Sequence, residues 1–234
     1  MGLTSFGASV IGPGHVRDGL PNQDAWGHAT VAGGRVVVVA DGLGSKPHSD
    51  VVAAAACLAV PEALRTWARH EHASHHVLLG LIHLIWRARL GSLSPEAAAT
   101  TCLFAYLKQD GTGILGQLGD GVVLLLEGAA VRAIQPRGSD AFTNETCALG
   151  ATRQLGAWHI EVLPPADRTV ILCTDGVADD LLEDRYFEFA RWVDGELAPL
   201  PPGVRWRRVA RELRAWPTPN HIDDKTLAVI TRQA

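Results

Sequence analysis

Three short apolar runs in this chain stop at the same dipeptide. Arg35 to Ala40 reads RVVVVA and runs into Asp41-Gly42; Gly113 to Leu118 leads to Asp120-Gly121; Thr169 to Cys173 leads through Thr174 to Asp175-Gly176. Runs of this length and composition read as buried strands, so each aspartate stands where a strand ends. There it points its carboxylate into a cleft with little rotamer freedom. The glycine beside it lets the backbone turn sharply and lets a carbonyl or a ligand come close. Asp24 in PNQDAW and Asp223 in HIDDKTLAVI occupy similar settings. Gathered in one cleft, such carboxylates repel one another unless hard divalent cations neutralise them. Two oxygen-ligated ions about 3.5–4 Å apart can hold a water, lower its pKa and stabilise an in-line displacement at phosphorus. Asp-Gly is also the commonest hairpin chemistry, and Asp120-Gly121, between two strand-like runs, reads equally as a plain hairpin. Periodicity and spacing leave both alternatives open.

The rest of the pattern suggests how such ends could converge. Residues 3–11 read as an edge strand. Ser49 to about Arg69 is an Ala-rich helix, and His75 to Leu90 a second one, stopped by Gly91. Strands are then expected over 100–107, 113–118, 122–126, 131–134, 158–163 and 169–173, with the polar segment 135–156 as a loop or flap. Short helices follow Gly176 and span 186–193; the Pro-rich 198–203 connects to a basic amphipathic helix over 204–216, and 226–231 closes as a strand. Strands dominate, and helices fall between them. The expected fold is α+β: a four-layer α-β-β-α sandwich of two mainly antiparallel sheets flanked by helices. With 234 residues, a single domain over 1–234 is expected.

Composition narrows the function classes. Charged residues make up 20% and the formal net charge is −4, so a nucleic-acid partner is disfavoured. No apolar stretch reaches the roughly 18 residues of a membrane span. The opening MGLTSFGASV lacks the features of a secretory signal. Cys57, Cys102, Cys147 and Cys173 form no C-x-x-C pair, and a reducing, cytoplasmic setting is the expectation. His70, His72, His75 and His76 fall between two helices and read as a solvated turn.

The order of the motifs carries more than any one of them. The chain contains Asn22-Gln23-Asp24, Asp41-Gly42-Leu43-Gly44-Ser45, Ala99-Thr100-Thr101, Gly119-Asp120-Gly121, Thr174-Asp175-Gly176 and Asp223-Asp224-Lys225-Thr226. In that order they resemble the metal-dependent protein phosphatases of the protein phosphatase 2C type, particularly the compact bacterial branch. The resemblance implies that Asp41 bridges two metal ions and that the Gly42 carbonyl binds one of them. Asp175 and Asp223 would complete the site, and Asp24 would bind metal directly or through water. Asp120 would join Asp175 at a third, weaker position. The implied cofactors are manganese or magnesium, two or possibly three ions. Three departures stand out. Gln23 takes the place of a glutamate, Leu43 that of a histidine carried by many eukaryotic members. Gly19 stands where a phosphate-binding arginine is usual, leaving Arg17 as the candidate for that role and His15 behind it.

The resemblance implies hydrolysis of phosphoserine and phosphothreonine in proteins by metal-activated water, with no phosphoenzyme. The expected partner is a phosphorylated substrate of a serine/threonine kinase; no nucleic-acid or membrane partner is expected, and the chain is read as a monomer. Two further readings remain: a pseudophosphatase that binds a phosphoprotein or regulatory partner without turnover, suggested by Gln23 and the displaced arginine, and a phosphatase of small phosphoesters.

Overall fold

The structure is a computed structural model, and it describes residues 2–44, 46–70, 73–94, 97–134, 147–151, 155–219 and 221–232. Among these residues, ten strands form two five-stranded sheets. In one the order is β1 (Leu3–Val10), β10 (Lys225–Arg232), β9 (Thr169–Cys173), β6 (Val122–Glu127) and β7 (Ala130–Ile134). In the other it is β2 (Asp24–Val31), β3 (Gly34–Asp41), β4 (Cys102–Leu107), β5 (Gly113–Leu118) and β8 (His159–Leu163). Every pairing is antiparallel. Among the described residues six α-helices accompany them: α1 (Pro13–Asp18), α2 (Ser49–Trp67), α3 (His75–Arg89), α4 (Asp175–Ala178), α5 (Tyr186–Trp192) and α6 (Pro202–Arg214).

Three apolar layers hold the sandwich together. Val36, Val38, Ala40, Phe104 and Tyr106 pack one sheet against Val52, Ala56, Leu64, Leu78 and Ile82 of α2 and α3. Phe6, Leu124, Ile171 and Val229 pack the other against Tyr186, Phe189, Val209 and Leu213 of α5 and α6. Between the sheets lie Val37, Val39, Leu103, Leu125, Leu172 and Ile230. Successive side chains of a strand point to opposite faces. In β3, therefore, Val36, Val38 and Ala40 meet helices, while Val37 and Val39 meet the second sheet. Burial on both faces is why this run is apolar without alternation. The expected α-β-β-α layering is the one observed.

Two elements escaped the sequence reading, β2 and α1. β2 reads DAWGHATV, and its helix-facing side is small: Ala25 and Ala29 pack toward the α2 layer, and a Cβ on Gly27 would come within 3.1 Å of the Cys57 carbonyl oxygen. Small residues let α2 lie close over this strand, but they erase the hydrophobic signal. α1 is a single short helix with Pro13 in its first turn and Gly19 at φ 68° closing it.

Candidate active site

The five aspartates come to one end of the sandwich from both sheets. Asp24 opens β2 and Asp41 closes β3, and the two are directly opposite in the antiparallel register. Asp120 lies on the connection from β5 to β6, which are in different sheets and do not pair. Asp175 follows β9 as the first residue of α4, and Asp223 immediately precedes Asp224 and β10. None of the three Asp-Gly steps is therefore a hairpin. One leads from β3 toward α2, one crosses between sheets with Gly119 and Gly121 at φ 94° and 97°, and one begins a helix. Carboxylate oxygens of Asp41, Asp120 and Asp175 lie within 4.8 Å of one another. Asp175 and Asp223 form a second such group with a ring nitrogen of His221.

Backbone bonds fix this end. The Asp41 N–H donates to Thr101 Oγ1 at 2.9 Å, and its carbonyl accepts from Thr100 Oγ1 at 2.8 Å and the Thr101 N–H at 2.8 Å. The buried Thr100-Thr101 step thus clamps the end of β3. At Gly42 a Cβ would sit 2.1 Å from the Ser49 carbonyl oxygen, and at Gly176 one would sit 1.9 Å from the Asp224 carbonyl oxygen. Only glycine lets the chain pass at either point.

Asp24 is the most enclosed of the set. Its Oδ2 accepts from Thr174 Oγ1 at 2.8 Å, and Thr174 Oγ1 in turn accepts the Thr226 N–H at 3.1 Å. Burial first, then the charges of neighbouring acids, raises the pKa of both Asp24 and Asp41 well above the ordinary carboxylate range. Asp175 is pushed up to about 6, by burial first and then by Asp120 and Asp223. Among the described residues, no lysine or arginine side chain forms a salt bridge with Asp24, Asp41, Asp120 or Asp175. Without a direct lysine or arginine partner among the described residues, these carboxylates offer hard oxygen donors that suit magnesium or manganese.

Arg17 lies on α1 and is exposed. Its Nε and Nη2 donate to both oxygens of Asp18, at 2.8 and 3.1 Å. It lines a cleft of about 340 Å3 together with His15, His221, Ile222 and Asp223, so it stands at the mouth of the acidic end while its guanidinium is held by its neighbour. His15 is engaged differently: its Nδ1 is 2.9 Å from Asp224 Oδ2. A larger cavity of about 630 Å3 is lined by Phe189, Trp192 and Trp216 of the α5–α6 side and includes none of the five aspartates. The segment 135–156, expected as a loop or flap, lies outside the described residues except for 147–151 and 155–156.

Asp224 is a site residue that motif reading passed over. It is buried and accepts the Gly12 N–H at 2.7 Å and the Gln23 N–H at 2.5 Å, besides its contact with His15. It ties α1 and the start of β2 to the head of β10. Gln23 passes the connection on, since its carbonyl accepts the Gly42 N–H at 3.1 Å. The doubled Asp223-Asp224 was the available signal. It did not reveal that one acid faces the cleft while the other ties the backbone together.

The sequence model for protein phosphatase 2C matches residues 11–215. The chain belongs to the protein phosphatase 2C family. This is a family of metal-dependent serine/threonine phosphoprotein phosphatases, and the chain is an enzyme of that class. Solved structures agree in fold at low identity. The serine/threonine phosphatase Stp1 from Staphylococcus aureus superposes with a TM-score of 0.70 at 15% identity, covering 100% of this chain and 96% of that one. The PPM Ser-Thr phosphatase MsPP from Mycobacterium smegmatis, in complex with cacodylate, gives 0.67 at 18% identity, with 98% of each chain covered. PppA of Pseudomonas aeruginosa, described as a regulatory component of T6SS, gives 0.67 at 18%, covering 99% and 98%. No curated protein sequence matches the chain.

Proposed function

We propose that the chain, acting as one catalytic unit, removes phosphate from phosphoserine and phosphothreonine of a protein substrate at the acidic end of the sandwich. One observation carries the reading. Five aspartates from the ends of strands in both sheets converge, and three of them, Asp41, Asp120 and Asp175, bring oxygens within 4.8 Å of one another with no lysine or arginine ion pair among the described residues. Divalent cations bound there, two and in one arrangement three, supply charge neutralisation and the activation of water. Asp41, Asp175 and Asp223 would hold them together with the Gly42 carbonyl. Asp120 would add to Asp175 at the outer position, and Asp24, kept in place by Thr174, would line the inner side.

The residues present suit direct hydrolysis. A new P–O bond forms from water, the bond to the serine or threonine oxygen breaks, and that oxygen takes up a proton. A covalent cysteine route fits poorly. Cys57, Cys102 and Cys173 are buried, and burial raises their thiols above the ordinary value, so their thiolates are scarce, while the exposed Cys147 stands in no Gly-rich stretch of the sequence that would cradle phosphate. Arg17, released from Asp18, would take a phosphate oxygen pair in the same fork it now offers the carboxylate. The substrate would be the product of a serine/threonine kinase, and the enzyme would work as a cytoplasmic monomer. Free thiols suit that reducing setting. Among the described residues no helix is long and apolar enough to cross a membrane. The binding-only role suggested by Gln23 and the displaced arginine gains no support from the family match or the solved structures.

The test is hydrolysis of p-nitrophenyl phosphate and of a phosphothreonine peptide with manganese, with magnesium and with EDTA. Turnover is expected with one or both metals and none in EDTA; full turnover in EDTA overturns the metal-dependent reading.

A further inference from the structure

We infer that His221 is a nitrogen ligand in this otherwise all-oxygen centre, sharing a cation with Asp175 and Asp223 and held in place by Asp179. The inference rests on the metal-dependent reading above and concerns which ion the site selects. His221 lies in the loop between α6 and β10, two residues before Asp223. A ring nitrogen falls within 4.8 Å of carboxylate oxygens of both Asp175 and Asp223. Ligands about 2.1 Å from one ion stand roughly 3–4 Å apart, so small side-chain rotations complete that set.

A second contact has the form expected of a ligating imidazole. Nε2 is 3.2 Å from Asp179 Oδ2. A carboxylate on one ring nitrogen fixes the tautomer and leaves the lone pair on the other, the usual support of a metal-bound histidine; with Nε2 on Asp179, the inferred ligand atom is Nδ1. Asp179 is well placed to give it, because it caps the short helix that Asp175 begins. His15 also approaches Asp223, with Nδ1 at 3.8 Å from Oδ1, but the same nitrogen is 2.9 Å from Asp224, which is occupied with the Gly12 and Gln23 amides. His15 is therefore part of the backbone tie, and His221 is the imidazole facing the acids.

The chemical consequence is selectivity. Magnesium takes oxygen ligands and gains little from imidazole, whereas manganese and the later divalent ions accept it readily. The site should prefer manganese to magnesium, and that preference should depend on His221. The experiment is electron spin echo spectroscopy of the manganese-loaded protein, with manganese and magnesium affinities measured by titration. The wild type should show modulation from a directly bound imidazole nitrogen, and His15→Asn should keep it. His221→Asn and His221→Gln should bind manganese without the nitrogen signal. Their manganese affinity should fall about tenfold, with magnesium affinity nearly unchanged. The inference is overturned if the wild type binds manganese with no nitrogen signal. It is equally overturned if the signal survives in the folded His221 variants or vanishes in His15→Asn. A wild type that binds no manganese at all would bring down the metal-dependent reading along with this one.

Discussion

Replacing Asp175 with asparagine should stabilise the metal-free protein near neutral pH while abolishing most of its turnover. Burial, then the charges of Asp120 and Asp223, moves the Asp175 pKa from 3.8 to about 6. A folded-state pKa above the unfolded one means that folding favours the protonated acid. The group then costs nothing below pH 3.8; stability is lost as pH rises toward 6, and the full cost remains above it. The gap between the two values corresponds to ~3 kcal/mol. Asparagine carries no charge, and its carbonyl oxygen can still accept the Gly176 N–H that Asp175 Oδ1 now takes at 2.7 Å. The variant should therefore gain up to ~3 kcal/mol in EDTA. For a chain of this size each kcal/mol moves Tm by about 2–4 °C, so a rise of up to roughly 6–12 °C is expected. The gain should fade as the buffer is acidified into the ordinary carboxylate range. Saturating manganese should reverse the order, because the wild type binds the ion more tightly and is stabilised by mass action. Scanning calorimetry with and without manganese, at neutral and acidic pH, reads all four conditions, and p-nitrophenyl phosphate turnover is measured on the same samples. An asparagine variant less stable than wild type in EDTA at neutral pH, or a gain that ignores pH, would refute the electrostatic argument.

Other perturbations test separate parts of the site. Asp41→Asn should fold and lose turnover by orders of magnitude, since it removes the charge proposed to lie between cations; near-wild-type turnover would return the Asp-Gly steps to a purely structural role. Arg17→Ala should raise KM for a phosphopeptide, and kcat should also fall if the fork tightens in the transition state; unchanged steady-state kinetics would remove Arg17 from phosphate binding. Asp224→Ala leaves the Gly12 and Gln23 amides without their acceptor and should cost about 2–4 kcal/mol by urea denaturation, while an unaltered midpoint would contradict the tie. Gly176→Ala places a methyl 1.9 Å from the Asp224 carbonyl oxygen, so it should lower both Tm and turnover, and a neutral outcome would mean the two loops part easily.

Much of this protein is written in local sequence. The strands whose residues are apolar on both faces, such as β3, β4 and β9, are legible because burial on both sides leaves a continuous run. The two long helices follow from their apolar period, and six motifs in order identify the family over most of the chain. Strand β2 was illegible because its helix-facing side is Ala25, Gly27 and Ala29, sizes set by the nearness of α2 and not by the strand itself. The meaning of Asp120-Gly121 was likewise undecided until β5 and β6 proved to lie in different sheets, a matter of pairing partners far away in the chain. Sequence alone marked which carboxylates are available and that Asp41, Asp120 and Asp175 follow strands. It could not distribute roles among neighbours: Asp223 toward the cleft and Asp224 onto two backbone amides, His221 facing Asp175 and His15 facing Asp224. Those assignments depend on the relative placement of strand ends and loops from residues 12 to 224, and only the packing of both sheets and their helices brings such distant groups within bonding range.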